Sequence, residues 1–326
     1  MKVTICIPTF ERPAFLKIAL ESCLGQTRPP DEILIGDDSR TDETEAMIRQ
    51  EFAHVSAIRY DHRRPGLGER RNIDDLFRRA TGDAVMLLHD DDWILPNCLR
   101  DLAAVLEQDA SVIAVFGKQK VADDAGRIDE RASLSLNDDY FRTSDRAGVH
   151  LDPLRSAFIG QLPNNGYLMR GDIARRMGYY TALDCKQCSD HLFGVQFGLK
   201  AKELGDHFQL VDHYTVGYRI SHVGLSRSGQ NLDGAYASLE LMRPFLGSDS
   251  LSHSDVDRFL ESHLPVVVMA AARMGHCREA FDWYFHPRHR SRILTLGGLH
   301  RLWAILKHGL LTERVVIPVV PEPLSP

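Results

Sequence analysis

The sequence has no apolar run that could cross a bilayer: its cleanest, residues 266–272, falls far short of the ~20 residues a spanning helix needs. Positive charge is also short. Thirty-nine Lys and Arg face 45 Asp and Glu, a net charge of -6, and no segment before the C-terminal quarter is uniformly basic. That argues against a nucleic-acid-binding surface, but it leaves room for a nucleotide, whose charge a metal and one or two arginines can neutralise. Cysteine is sparse and scattered: Cys6, Cys23, Cys98, Cys185, Cys188 and Cys277. Reduced core thiols account for them, since the C-x-x-C of Cys185 and Cys188 has no second pair to complete a zinc site and does not open a helix after a first strand. Repeats are lacking, and so is a signal-peptide pattern: after Lys2 the stretch TICIP ends at Pro8. The expectation is a soluble, cytoplasmic protein that at most rests on the inner face of a membrane.

What is present is a chain of 326 residues, 44% hydrophobic and 26% charged, enough for one large α/β domain or two moderate ones. Its first 120 residues alternate regularly. Strands are expected at residues 3–8, 32–36, 57–61, 84–88 and 111–117. Between them lie amphipathic helices: AFLKIALESCL behind Pro13, DETEAMIRQEF with Thr41 and Asp42 as cap and first turn, NIDDLFRRA with Ile73, Leu76, Phe77 and Ala80 on one face, and residues 97–106. Such alternation predicts an α/β fold, a mostly parallel Rossmann-like sheet flanked by helices, with its ligand beyond the carboxyl ends of the strands. Residues 123–148 are polar, Asp-rich and weakly periodic, so they read as an irregular or mobile segment. LPNNGYLMR and a helix over 173–178 resume order, SRSGQN at 226–231 reads as a loop, and the remainder reads as helices.

Carboxylates gather where the fold would put a ligand. VMLLHDDDWILP runs from a buried strand into Asp90, Asp91 and Asp92, although each like-charge pair costs roughly 3 kcal/mol at ~5 Å and an effective dielectric of ~20. Capping of the next helix explains one aspartate, not three. Oxygen ligands on a turn suit a hard cation, Mg2+ or Mn2+, that shares a diphosphate. Asp37 and Asp38 follow the second strand, where a turn explains them in part and a hydrogen bond to a base or ribose would explain the rest. Arg70, Arg71 and Asn72 open a helix, where arginines oppose the macrodipole unless something anionic is near.

TICIPTFERPAFLKIALESCLGQTRPPDEILIGDDSRTDET, GERRN, ATGDAVMLLHDDDWILP and YRISHVGLS, in this order over residues 3–225, resemble a family 2 glycosyltransferase of the A-type fold. The resemblance implies inverting transfer of a sugar from a nucleoside diphosphate donor, UDP first among the bases, to an acceptor hydroxyl, with Mn2+ or Mg2+ as cofactor, in cell-surface polysaccharide or glycoconjugate synthesis. By position it assigns Pro8, Thr9 and Glu11 to the nucleoside pocket, Asp38 to the base, Arg71 to the nucleotide and Asp91 to the ribose and metal diphosphate. Asp92, Asp90 and His222 are the implied metal ligands, and His89 stands where many members carry the motif's first aspartate. In CSDHLFGVQFG it makes Asp190 the general base, with Ser189 in place of the usual preceding acid and Asp184 as second choice. An N-cap role serves Asp190 equally well, and a lone His such as His222 is more often structural.

The same reading divides the chain into a nucleotide-sugar-binding half over 1–122, an acceptor-binding half over 123–225 and a helical C-terminal extension over 226–326. By the same resemblance, the expected acceptor is a glycan or a lipid-linked glycan. In HPRHRSRILTLGGLHRLWAILKHGLLTERVV an amphipathic helix packed on the domain is expected, with peripheral membrane contact as the alternative. A non-catalytic nucleotide-sugar-binding or scaffold protein on the same fold is the rival to the enzyme. A nucleotidyltransferase fits less well, because PTFERP lacks its glycine-rich basic loop.

Overall fold

The structure, a computed structural model, describes residues 1–179, 190–220, 232–246 and 251–311. In chain order the elements are β1 (Val3–Thr9), α1 (Pro13–Leu24), β2 (Glu32–Asp37), α2 (Glu43–Met47), β3 (Ile58–His62), α3 (Glu69–Arg79), β4 (Ala84–Leu87), β5 (Trp93–Ile94), α4 (Cys98–Gln108) and β6 (Val112–Ala122). Then come β7 (Ile128–Asp129), α5 (Glu130–Asp139), β8 (His150–Leu151), α6 (Pro153–Phe158), β9 (Leu168–Arg170), α7 (Gly171–Met177), α8 (Asp190–Leu204) and β10 (His207–Arg219). The helices α9 (Leu232–Met242), α10 (His253–Arg273), α11 (Cys277–Tyr284), α12 (Arg290–Ile293) and α13 (Leu296–Leu311) close the described chain.

The sheet runs β3-β2-β1-β4-β9-β6-β10-β5. Its first four strands are parallel, as the alternation requires. β1, β2 and β4 are buried along nearly their whole length, which is why they read as unbroken apolar runs rather than alternating ones. Leu16, Ala19, Leu20 and Cys23 of α1 and Leu99, Leu102, Ala103 and Leu106 of α4 pack into the same core as Ile5, Ile7, Ile33 and Met86. The far half makes the sheet mixed. The three-residue β9 lies antiparallel between β4 and β6, while β10 is parallel to β6 and antiparallel to β5. Cys6, Cys23 and Cys98 are buried free thiols, and burial pushes Cys23 up to about 12.

Two local expectations need correction. The helix after Asp42 takes no side-chain cap; the Asp42 carboxylate pairs with Arg64 instead. Residues 123–148 are not irregular throughout, because α5 occupies ten of them. Its buried positions are Ser133 and Asn137, one turn apart. The Ser133 hydroxyl accepts from the Val121 amide at 2.8 Å, and Asn137 accepts from the Gln119 amide at 3.0 Å while donating to its carbonyl at 2.8 Å. A helix that serves the open backbone of a strand needs polar residues on its inner face, so an apolar stripe could not reveal it.

The chain divides into two compact units, residues 1–180 with 196–227, and residues 181–195 with 228–326. In the second, Val268, Ala271 and Ala272 of α10 pack with Ala280 and Tyr284 of α11 and with Ala304 and Ile305 of α13. No helix among the described residues is long and apolar enough to cross a membrane.

Asn137→Ala should cost about 2–4 kcal/mol, because it strands a buried amide and a buried carbonyl of β6 together. Leu134→Ala, at an exposed site of the same helix, should stay within about 0.5 kcal/mol. Urea unfolding of the two variants measures this, and equal losses would refute the strand-serving role of α5.

Candidate nucleotide and metal site

Strand register assembles the site. Thr9 lies opposite Asp37 at the ends of β1 and β2, and Asp37 lies opposite His62 at the end of β3. β4 stops at Leu87, opposite Cys6, so the chain beyond it runs alongside the last residues of β1. The two acidic stretches are thereby brought to one edge of the sheet, beyond the carboxyl ends of its strands.

Within each stretch the aspartates do different work. Asp37 is fully buried and spent on structure: its carboxylate accepts from the Ser39 amide at 2.8 Å and the Tyr60 hydroxyl at 2.5 Å. Asp38 is 8% exposed. One of its oxygens accepts from the Gly68 amide at 2.8 Å; the other, Oδ1, is buried and has no hydrogen-bond partner among the described residues. Gly68 presents that amide from φ 81°, a left-handed conformation that favours glycine. Asn72 braces the crevice floor, donating to the Gly36 carbonyl at 2.8 Å and accepting from Arg63.

In the second stretch Asp90 turns toward β1. It accepts from the Thr9 hydroxyl at 2.7 Å and from Arg12 at 3.4 Å. Burial pushes its carboxyl up to about 6; Arg12 opposes that rise and Asp91 adds to it. Asp91 accepts from the same Arg12 at 3.0 Å. Asp92 is 1% exposed and accepts from the Arg219 amide at 2.7 Å and from Asn165 Nδ2 at 2.8 Å. Burial, then repulsion from Asp91, raises its pKa too. Arg219 also donates from Nε to the Asp91 carbonyl at 2.8 Å and lies over the Phe15 and Trp93 rings at 4.9 and 5.1 Å.

His89, Asp91 and Asp92 each offer one ligand atom, and the three lie within 4.8 Å of one another. Two carboxylates and an imidazole on a turn fit a divalent cation that keeps positions open for water and phosphate oxygens. Asp90 stands outside this group, its carboxylate taken by Thr9 and Arg12. A second such group, Asp42, Glu45 and His62, is already served by the Arg64 guanidinium.

The remaining expected residues distribute as follows. Pro8 is half-buried near the end of β1, beside the buried Thr9. Glu11 is exposed, with φ 54° and its amide donating to Ser39 Oγ at 2.7 Å. Arg71 is exposed in the first turn of α3. Asp190 is the first residue of α8 and half-buried, and belongs to the second compact unit. His222, Asp184, Ser189, Cys185 and Cys188 lie outside the described residues. Sequence reasoning missed Arg12 and Asn165. The first was hidden in a loop read only for what it lacked, the second in an Asn-Asn-Gly that a turn explains without remainder.

The glycosyl transferase family 2 model matches residues 4–156. Residues 4–156 are thus similar to that family's domain. An uncharacterized glycosyltransferase MG060 homolog of Mycoplasma pneumoniae is 32% identical over 124 residues, 37% of this chain and 42% of that one. The chain spans only about two fifths of the length of the curated relatives it matches, 37%, 39% and 42% for three of them. Among solved structures, S. aureus TarS 1-349 in complex with UDP aligns over 98% of this chain and 94% of its own, at 15% identity and a TM-score of 0.60. The mannosyltransferase PcManGT from Pyrobaculum calidifontis, in complex with GDP-Man and Mn2+, aligns over 95% and 87%, at 14% identity and a TM-score of 0.54. These likenesses are of fold, and the fold is the A-type glycosyltransferase fold, a mixed sheet flanked by helices with a helical C-terminal region.

The raised Asp90 carboxyl predicts a pH signature. The unfolded chain releases this proton near 3.8, the folded protein near 6, so folding favours the protonated form. Stability from this group is lost as pH climbs between those values, by roughly 3 kcal/mol at ~1.4 kcal/mol per unit, and is constant above. Asp90→Asn should therefore gain about 2 kcal/mol over the parent at pH 8 and nothing near pH 3.5. Urea unfolding across that range reads it; a difference that does not change with pH would refute the assignment.

Proposed function

We propose that this protein is an inverting glycosyltransferase that moves a sugar from a nucleoside diphosphate, UDP before the others, to a hydroxyl of a glycan or lipid-linked glycan in cell-surface polysaccharide or glycoconjugate synthesis. The carrying observation is the buried, partnerless oxygen of Asp38 at the sheet edge that also bears the His89, Asp91 and Asp92 group. A buried carboxylate oxygen without a donor is costly, and the ring N–H of uracil is a donor of the right kind. Pro8, Thr9 and Glu11 line the nucleoside pocket, and Arg71 approaches the phosphates from α3. The UDP bound by TarS in the structure similar to this one supports the choice of base.

Asp91 and Asp92, with His89, would hold a divalent cation, Mn2+ or Mg2+; the alternative set adds His222 and Asp90. When bound, the cation supplies positive charge to the leaving diphosphate. Arg12 keeps Asp91 oriented, and Asn165 and the Arg219 amide keep Asp92 oriented. Asp190, at the start of α8, takes the proton of the acceptor hydroxyl. The acceptor oxygen forms its bond to the anomeric carbon from the face opposite the diphosphate, whose bond to that carbon breaks, through an oxocarbenium-like transition state. Arg71 adds charge stabilisation as the diphosphate departs.

A thermal-shift series with UDP, GDP, dTDP and CMP, each with and without Mn2+, tests the reading. One diphosphate should stabilise the protein in a metal-dependent way, by about 2.7 kcal/mol at ~100 Kd. Asp38→Ala should remove that shift. Asp190→Asn should keep the shift and abolish transfer; full transfer in that variant would remove Asp190 as the base. A shift without hydrolysis or transfer for any acceptor would favour the non-catalytic binding protein, and no shift at all would overturn both.

A further inference from the structure

α13 has two faces. Ala304 and Ile305 are buried against α10 and α11, which meets the expectation of a packed amphipathic helix. The opposite face is apolar as well and open: Leu296 is 88% exposed, Leu299 53%, Trp303 55% and Leu306 49%, with Leu294 just before them at 90%. Steps of three and four residues keep these side chains on one stripe. Lone exposed apolar residues are ordinary, but a continuous stripe marks a surface that is covered in use.

The charge around the stripe identifies what covers it. Between Asp282 and Glu313 the sequence holds Arg288, Arg290, Arg292, Arg301 and Lys307 and no carboxylate, in a chain of net charge -6. Arg288 is tied to Asp257, whereas Arg290, Arg292 and Lys307 are exposed with no ion pair among the described residues. Trp303 carries Lys307 Nζ at 4.8 Å from its ring and stacks against His300 at 5.9 Å. A second copy of this chain would bring the same cations face to face, so self-association is disfavoured. An anionic lipid surface meets both features at once: cations for its headgroups, and leucines and an indole for the acyl boundary. At 16 residues and ~1.5 Å each the helix is about 24 Å long, shorter than the ~30 Å hydrocarbon core, so it lies in the interface.

We propose that the stripe of Leu294, Leu296, Leu299, Trp303 and Leu306, with Arg290, Arg292 and Lys307 beside it, is a surface that docks on an anionic membrane. The full chain should cosediment with phosphatidylglycerol-containing vesicles about tenfold better than with phosphatidylcholine vesicles, and high salt should remove the difference. Leu299→Glu with Trp303→Glu should lower binding about tenfold without disturbing the fold, since both sites are exposed. Arg290→Glu with Lys307→Glu should abolish only the preference for anionic lipid. No binding, equal binding to neutral vesicles, or binding indifferent to these changes overturns the proposal. So does a dimer in ultracentrifugation that the leucine–tryptophan variant dissolves, which would give the face to a second copy. No nucleotide enters the assay, so its outcome is separate from that of the transferase reading.

Discussion

Asp92 is a nearly inaccessible carboxylate that reaches the Arg219 amide at the end of β10 and the Asn165 side chain in the loop before β9. Three stretches distant in sequence are fastened at that one group. β5 begins at the next residue and pairs with β10, Ile94 opposite Val216 and Trp93 opposite Gly217. The Arg219 side chain then clamps the Asp91 carbonyl and the Asp124 carbonyl at 2.8 and 2.7 Å. Burying a charged carboxylate costs several kcal/mol, and two donors at ~1.5–3 kcal/mol each do not clearly offset it. The upward shift of the Asp92 pKa expresses that deficit. A cation beside Asp92 would close it, so the anchor that organises the far half of the sheet is also what favours a positive ligand there.

The same economy of charge runs through both acidic stretches. In each, one aspartate is turned inward and saturated, and its neighbour is left with capacity to spare. Asp37 is spent on Ser39 and Tyr60, and Asp38 beside it keeps an oxygen without a donor. Asp90 is spent on Thr9 and Arg12, and among the described residues the Asp91 carboxylate beside it shares only the Arg12 guanidinium. The inward partner ties the turn to the strands beside it. Repulsion among residues 90–92 is thus met partly by the protein's own arginine and by hydrogen-bond donors, and a bound cation has less to supply than three bare carboxylates would demand.

What could be read from the sequence follows from which forces leave a periodic trace. β1 to β4 and α1 to α4 were legible because parallel strands buried in the core leave solid apolar runs, and helices packed on them leave stripes such as Ile73, Leu76, Phe77 and Ala80. The three-residue β9 is too short to leave a pattern, so the antiparallel insertion that makes the sheet mixed could not be seen. α5 was misread for the opposite reason: its inner face is chosen for hydrogen bonding, and Ser133 and Asn137 look like surface residues until Gln119 and Val121 are set beside them. That carboxylates gather at one edge of the sheet was legible because they are conspicuous after a buried strand. The neutral and basic side was not, because Asn165 passes for a turn residue and Arg12 for a solvated one. α13 combined both cases. Its composition announced an amphipathic basic helix, but a linear pattern does not say which apolar residues face the protein, and that depends on where α10 and α11 stand. With Ala304 and Ile305 taking the inner side, Leu299, Leu306 and Trp303 are left outside, although they are as large and apolar as the residues that pack.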